Sequence, residues 1–249
     1  MSSIKDYFFD VQQEACIDWV AQTYGYEIDP DEDPERWEKL AAEYSEMLDA
    51  RAEIQWLNRH SHQEFFIEFE AELAATASLL AAATNTPNAN TVFKLVYAHT
   101  VTLMEALISS VVRKLVVSDA NLLMSLAAGY KKVNVVSVTL KEIAEQPKVV
   151  ETIVLRILAD QTFHNVSTIR EVLGVMFGDH MNGLNLAGVG RICSKRHDIV
   201  HRNGKTVDDE PIELSVAEVD QAISTVNEFV LDLRRRIEAA LREDDPVPF

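Results

Sequence analysis

Apolar residues recur every three or four positions over most of this chain, which is the pattern of amphipathic α-helices. Val11, Ala15 and Trp19 fall on one side of the first such segment, and Phe66 and Phe69 fall on one side of the third. The pattern predicts an all-α protein. From the periodicity and its stop signals we predict helices over about residues 4–24, 34–57, 62–83, 91–117, 119–129, 147–160, 167–177 and 215–242, and a further helix that ends near residue 203.

The clearest break in the pattern lies at residues 84–90, Thr-Asn-Thr-Pro-Asn-Ala-Asn, which has the composition of a linker with a helix N-cap at its end, Asn90. We therefore divide the chain into a helical extension, residues 1–85, and a helical domain, residues 90–245. The helix predicted over 91–117 is apolar on several faces, which indicates a central position in that domain.

Two further segments are interpreted as loops. Residues 133–140 alternate as in a β-strand but have no obvious partner strand, so we expect an extended loop that leads to an N-cap at Thr139. Residues 178–190 are rich in glycine and are predicted to be a flexible approach to the next helix. The last helix is expected to begin with a capping box formed by Ser215 and Glu218.

The charge is distributed unevenly along a chain whose net charge is −17. Residues 1–90 hold 19 acidic and 5 basic residues, and residues 206–249 hold 12 and 4, whereas residues 91–205 hold 9 and 14. Such an acidic protein does not bind nucleic acid nonspecifically over its whole surface. The extension 1–85 is acidic, and the middle segment is the one in which an RNA site is electrostatically feasible.

Compartment and cofactors are suggested by composition. The two cysteines, Cys16 and Cys193, sit in helical patterns and indicate no disulfide framework, which favours a reducing cytoplasm. The N-terminal sequence begins no signal peptide, and we expect no apolar run of membrane-spanning length and no membrane partner. The carboxylates and histidines have no spacing typical of a metal site, so we expect neither a metal nor another cofactor.

The densest cationic stretch lies at residues 191–204, Arg-Ile-Cys-Ser-Lys-Arg-His-Asp-Ile-Val-His-Arg-Asn-Gly. Ile192, Ile199 and Val200 recur at helical spacing, the cations fall late, and Asn-Gly is a stop signal. This pattern predicts the end of a helix.

Two histidines and an arginine on this helix have the chemistry that cleaves a phosphodiester without a metal. His197 and His201 are four positions apart and share a face, and the side chain of Arg196 is long enough to reach the same ligand. An imidazole transfers protons near neutral pH, and a guanidinium binds phosphate oxygens in pairs and offsets developing charge.

Residues 196–201, Arg-His-Asp-Ile-Val-His, resemble the R-x4-6-H motif of HEPN domains (higher eukaryotes and prokaryotes nucleotide-binding). Together with the Arg-Asn-Gly that follows, they are similar to the RiboL-PSP-type branch of that family. The resemblance covers about residues 90–240, including Tyr97-Ala98-His99, Glu105 and Phe163-His164-Asn165-Val166.

The resemblance implies a HEPN-like helical bundle over residues 90–245, with a ribonuclease site at a homodimer interface that takes one motif from each protomer. Lys195 and Arg202 are then expected to contact phosphate, and Glu105 is expected to approach the motif from the facing helix as a substrate-binding residue. The residues assigned to catalysis are Arg196, His197, Asp198 and His201.

The implied function is that of a metal-independent endoribonuclease in which the ribose 2′-hydroxyl attacks the phosphate. The expected products are a 2′,3′-cyclic phosphate and a 5′-hydroxyl, and DNA is expected to resist cleavage. Small HEPN ribonucleases are commonly toxins or antiviral-defence effectors that act on tRNA or other cellular RNA. An antitoxin or sensor protein is therefore an implied partner.

Two other interpretations of residues 196–201 stay open. The motif could be a non-catalytic HEPN module that holds a nucleotide, RNA or a protein partner, which the acidic composition favours. It could also be structural, with Arg196 and Asp198 in helix-surface ion pairs and the histidines hydrogen-bonded in an interface. A variant of the structural interpretation is a zinc site at His197 and His201, which needs at least one further ligand that the sequence does not identify.

Overall fold

The computed structural model describes the backbone of residues 4–243 and the side chains of residues 11–144 and 146–243. This part of the chain is helical, without a β-strand, and contains one isolated β-bridge between Lys205 and Pro211. The predicted all-α class is confirmed. The α-helices are α1 (Ile4–Tyr24), α2 (Pro34–Arg59), α3 (His62–Ala83), α4 (Ala89–Ser118), α5 (Ala120–Gly129), α6 (Lys131–Asn134), α7 (Leu140–Glu145), α8 (Val149–Ala159), α9 (Val166–Phe177), α10 (Ala187–His201) and α11 (Val216–Glu243).

The chain divides into two compact units, with the boundary after Trp56 rather than at residues 84–90. The first unit has a small core of its own in which Cys16, Val20 and Leu40 are buried. The third helix, α3, belongs to the second unit because its apolar side packs extensively against α4.

The segment at residues 84–90 is a tight turn between two packed helices. Backbone hydrogen bonds from Thr86 to Ala83 and from Ala89 to Thr86, each 3.1 Å long, close this turn. The linker-like composition therefore marks a reversal of the chain. This composition does not indicate whether the helices on either side pack their apolar faces against each other.

Helix α4 is the centre of the second unit, since α3, α5, α8, α10 and α11 all pack against it. By length and composition it is also apolar enough to span a membrane, with a mean hydropathy of 1.5 over its most apolar window. Half of that window is buried inside the protein, as in a core helix. The expectation that no apolar run approaches membrane-spanning length is thus wrong, because a helix enclosed by protein needs as much apolar surface as one enclosed by lipid.

Side-chain caps fix where two late helices begin, and both were predicted. Thr139 and Glu142 form a capping box at α7. At α11 the backbone N of Glu218 donates to Ser215 Oγ at 3.2 Å, and the backbone N of Ser215 donates to Glu218 Oε2 at 3.0 Å. The loop expected over residues 133–140 is shorter, residues 135–139, because Val133 and Asn134 belong to α6 and Leu140 begins α7.

Asn90 was expected to cap α4 but lies inside its first turn. Its side-chain oxygen accepts a hydrogen bond from the backbone N of Leu214 at 3.1 Å. Asn90 therefore ties the segment that leads into α11 to the start of α4, a role that depends on tertiary contacts rather than on its neighbours in sequence.

The glycine-rich segment 178–190 is regular structure over much of its length rather than a flexible approach. It contains a 3₁₀ turn at Gly178–Met181 and the first residues of α10, which begins at Ala187. Gly188 and Gly190 therefore lie within the motif helix, where a loop was expected.

These two glycines lie where α10 approaches its neighbours most closely. A Cβ at Gly188 would be 2.8 Å from Cγ2 of Thr225 in α11, and a Cβ at Gly190 would be 3.3 Å from Cγ2 of Val166 in α9. Both distances are shorter than ordinary van der Waals contact, so side chains at these positions would push the helices apart. The glycines are explained by close helix packing.

Gly188→Ala is expected to lower the free energy of unfolding by about 1–3 kcal/mol, because the new methyl group would overlap Thr225 and force α10 away from α11. Thr225 cannot easily move aside, since its hydroxyl donates to the backbone oxygen of Gln221 at 2.8 Å. The matched control is Gly174→Ala in α9, where a Cβ meets nothing within 4 Å. It is expected to raise the free energy of unfolding by about 0.5–1 kcal/mol. Urea unfolding followed by circular dichroism measures both, and equal effects would contradict the close contact.

Candidate functional site

The motif helix, α10, buries one side against α4 and α11. Cys193 and Ile199 are on this side. The helix ends where the sequence predicted, because the backbone N of Gly204 donates to the oxygen of Ile199 at 3.0 Å and Gly204 has a φ of 75°. Val200, expected on the same apolar face, is 46% exposed. The last turn of the helix is therefore open to solvent.

The end of α10 lies against the beginning of α4. A Cβ at Gly204 would be 2.8 Å from the Nζ atom of Lys94, so this ammonium group lies beside the end of the motif helix. Cations are favoured at a helix C-terminus by the helix dipole. Lys94 was not singled out in the sequence, because antiparallel packing of two distant helices brings it to the motif.

The two motif histidines form an exposed pair. The ring centroids of His197 and His201 lie 4.7 Å apart, with the ring planes inclined at 41°. Both residues are exposed. The predicted shared face is confirmed, and both imidazoles are accessible to a ligand.

Arg196 lies on a different side of the same helix. It is five positions from His201, which corresponds to a rotation of about 140° around the helix axis. Its Nε atom is buried and has no hydrogen-bond partner among the described residues. The backbone positions of Arg196 and His201 therefore lie on different sides of α10, and the expectation that both side chains reach one ligand stays a prediction.

Two of the motif cations already have carboxylate partners. Arg202 forms an i,i+4 ion pair with Asp198, and the Nζ atom of Lys195 lies 3.2 Å from an oxygen of Glu218 in α11. The cation side chains of both pairs are 40% exposed. Exposed pairs of this kind contribute roughly 0–1 kcal/mol, so a phosphate could replace the carboxylate at modest cost.

A shallow groove of about 440 Å³ runs beside these ion pairs. It is open to solvent and carries both signs of charge, with Arg191 and Lys195 on one side and Glu213 on the other. The complete lining is Arg191, Ser194, Lys195, Asp198, Thr206, Pro211, Ile212 and Glu213. The histidine pair is not part of this lining.

Glu105 lies on α4, which packs against the motif helix, and its carboxylate contacts a histidine outside the motif. The Nδ1 atom of His164 lies 2.9 Å and 3.0 Å from its two carboxylate oxygens. His164 precedes α9, and the pair therefore bridges α4 and the turn before α9. From the sequence, His164 was named only within the stretch that resembles HEPN domains, and it was assigned no role. The sequence signal that could have drawn attention to His164 is its position next to Asn165, which caps α9.

Cys193 lies on the inner side of α10 near both Glu105 and Arg196. The pKa of the Cys193 thiol is raised to about 11, mainly by burial and also by the charge of Glu105, while the charge of Arg196 opposes the rise. Burial likewise raises the pKa of Cys16. Both cysteines are free thiols, and Cys193 is not disposed to act as a nucleophile at neutral pH.

Within the residues that the structure describes, no three His, Cys, Asp or Glu side chains are grouped in a way that could hold a metal ion. The zinc interpretation of His197 and His201 requires at least one more ligand from the protein. Among the described residues, no third potential metal ligand is grouped with these two histidines.

Comparison with known proteins finds no matching family model, no matching curated protein and no matching solved structure. The functional argument therefore rests on the residues and their geometry.

The raised pKa of Cys193 makes its reactivity testable. At pH 8 a pKa of about 11 leaves about a hundredfold less thiolate than the ordinary value of 9.0. We expect iodoacetamide to modify Cys193 at least a hundredfold more slowly in the native protein than in urea, as followed by peptide mass spectrometry. Comparable rates in the two conditions would contradict the burial of this side of α10.

Proposed function

We propose that the protein is a metal-independent endoribonuclease of the HEPN type that acts as a homodimer. The observation that carries the proposal is the exposed pair of His197 and His201, whose rings lie 4.7 Å apart at the end of a closely packed helix. Charge supports it as well, since the motif lies in the net-basic segment 91–205 of an acidic chain. Imidazoles transfer protons near neutral pH without a metal.

Each motif residue has a role in this proposal. His201 activates the ribose 2′-hydroxyl or orients the scissile phosphate, and Arg196 binds that phosphate and stabilises its developing charge. His197 or Asp198 orients the pair. The 2′-oxygen attacks phosphorus and the bond to the 5′-oxygen breaks, which leaves a 2′,3′-cyclic phosphate and a 5′-hydroxyl.

The homodimer is supported by the positions of Arg196 and His201. The two residues lie on different sides of α10, as expected if one site takes one residue from each protomer. In the proposed dimer, Arg196 of one protomer meets His201 of the partner subunit across a two-fold interface.

The biological role that we propose is that of a toxin or antiviral-defence effector acting on tRNA or other cellular RNA in the cytoplasm. An antitoxin or sensor protein would restrain it. This part of the proposal is supported by the resemblance of residues 196–201 to the HEPN motif.

A second candidate function is a non-catalytic HEPN module that binds a nucleotide, RNA or a protein partner. The observation that favours it is the pairing of Lys195 with Glu218 and of Arg202 with Asp198, because it leaves less positive charge for a phosphate. The inward position of Arg196 in the single chain also favours it.

The nuclease proposal is tested by incubating mixed tRNA and a single-stranded oligoribonucleotide with the protein in EDTA. Wild type is expected to cleave and to leave cyclic-phosphate ends, whereas Arg196→Ala and His201→Ala are each expected to lower the rate at least a hundredfold. An oligodeoxyribonucleotide of the same sequence should stay intact.

The matched control for that assay is His180→Ala, since His180 lies outside the motif and pairs with Glu243 at 3.3 Å. It is expected to cleave like wild type. Thermal melting and mass measured by light scattering check that each variant folds and dimerises. Folded, dimeric wild type that leaves every RNA intact would refute the nuclease and support the binding module.

The composite site is tested by mixing two inactive variants. When Arg196→Ala and His201→Ala are co-expressed, half of the dimers are mixed and each mixed dimer holds one intact site. About 25% of wild-type activity is therefore expected. Activity no higher than that of the separate variants would show that Arg196 and His201 act within one chain.

A further inference from the structure

The pair formed by His164 and Glu105 has the geometry of an oriented base. The Nδ1 atom of His164 lies within 3.0 Å of both carboxylate oxygens of Glu105. Since a carboxylate accepts hydrogen bonds, Nδ1 donates its proton to Glu105. The neutral ring then has an unprotonated Nε2 that can accept a proton, and the carboxylate stabilises the charged ring that results.

Burial and hydrogen bonds fix the residues on both sides of His164. Phe163 is completely buried. Asn165 caps α9, because its Oδ1 accepts from the backbone N of Ser167 at 2.9 Å, and the backbone N of Asn165 donates to Thr162 at 3.1 Å. The His164 backbone therefore has little freedom, which is the condition for a preorganised catalytic group.

This turn lies beside the motif helix. Val166, two residues after His164, approaches Gly190 of α10 so closely that a Cβ there would be 3.3 Å away. One turn further along α10, Cys193 is affected by the charges of both Glu105 and Arg196. The charged group in contact with His164 is Glu105 from α4, and the charge of Glu105 also reaches Cys193 of α10.

The exposure of the pair suits contact with a substrate. The side chains of His164 and Glu105 are 29% and 24% exposed, so they are enclosed enough to be oriented and open enough to be reached. His197 and His201 are more exposed, and the carboxylate nearest to them in sequence, Asp198, is paired with Arg202. Of these three histidines, His164 is the one with a carboxylate on its ring.

We infer that His164 is the general base of the proposed cleavage and that Glu105 is its positioning residue. The inference rests on the proposed function. Arg196 from α10 and His164 from the turn before α9 would come from one protomer, and the partner's His201, without the role of base, would complete the site. Glu105 thus acts through His164 rather than on the substrate.

The reaction balances with these groups. The Nε2 atom of His164 takes the proton of the 2′-hydroxyl, and the 2′-oxygen forms a bond to phosphorus. The bond between phosphorus and the 5′-oxygen breaks, and the leaving oxygen takes a proton from the partner's His201. Arg196 holds the non-bridging oxygens as their charge increases.

The inference is tested with the RNA that wild type cleaves in EDTA. His164→Ala is expected to lower kcat by about 10²–10⁴-fold with KM within threefold of wild type, and added imidazole is expected to restore part of the rate. His164→Asn keeps a donor for Glu105 but cannot accept a proton, so it should fold like wild type and be equally inactive. Glu105→Gln is expected to lower kcat about 10–100-fold.

Mixing of variants assigns His164 to a protomer. Co-expression of His164→Ala with His201→Ala is expected to restore about 25% of wild-type activity, because the mixed dimer holds one intact site. Co-expression of His164→Ala with Arg196→Ala should restore none, since both residues come from the same chain.

The possible failures are distinct. If wild type cleaves and His164→Asn cleaves at a rate within threefold of it, the base is another residue while the nuclease stands. A change in KM alone, or no rescue of His164→Ala by imidazole, would also overturn the inference. If folded wild type cleaves no RNA, both the nuclease and the role of His164 are wrong.

Discussion

The close approach of the motif helix to three neighbours determines where every candidate catalytic group points. Gly188 lets α10 approach Thr225 of α11, and Gly190 lets it approach Val166 at the start of α9. Gly204 admits the ammonium group of Lys94 beside the end of the helix. The missing Cβ atoms at Gly188 and Gly190 permit the contacts with Thr225 and Val166, which limit how α10 can shift against α11 and α9.

This constraint separates the motif into an inner and an outer group. The Cys193 side chain and the Nε atom of Arg196 are buried, whereas His197 and His201 are exposed. Each side by itself lacks part of what phosphodiester cleavage requires. In the proposed dimer, Arg196 of one protomer and His201 of its partner form one site, so an arginine and a histidine five positions apart serve one proposed reaction.

The charges around the motif bear on the substrate. The cations of Lys195 and Arg202 are balanced by Glu218 and Asp198 at the surface, while the Nε atom of Arg196 is buried without a partner. A phosphate that replaces surface carboxylates gains little per contact, since such exposed pairs are worth roughly 0–1 kcal/mol. The paired cations at Lys195 and Arg202 are therefore weak determinants of phosphate binding.

The sequence was a good guide wherever the determining interaction is local. The helix limits near Tyr24, Ala83 and Gly129, the capping box at Ser215 and the stop after His201 are all set by residues within a turn of each other, and the structure agrees with them. It was a poor guide where the partner is distant. The glycines at 188 and 190 were interpreted as flexibility, and Asn90 was interpreted as a cap, because the residues that explain them come from other helices.

The predictions for the candidate site divide in the same way, into those set by local interactions and those set by distant ones. The shared face of His197 and His201 follows from helical periodicity, so the sequence by itself determined that pair, the all-α class and the basic character of the central segment. Only the tertiary structure decided that Arg196 faces inward, that α3 belongs with α4, and that Glu105 pairs with His164. Those outcomes depend on which helix faces lie together, and residues 59 positions apart acquire a common role only when packing brings their atoms within 3.0 Å.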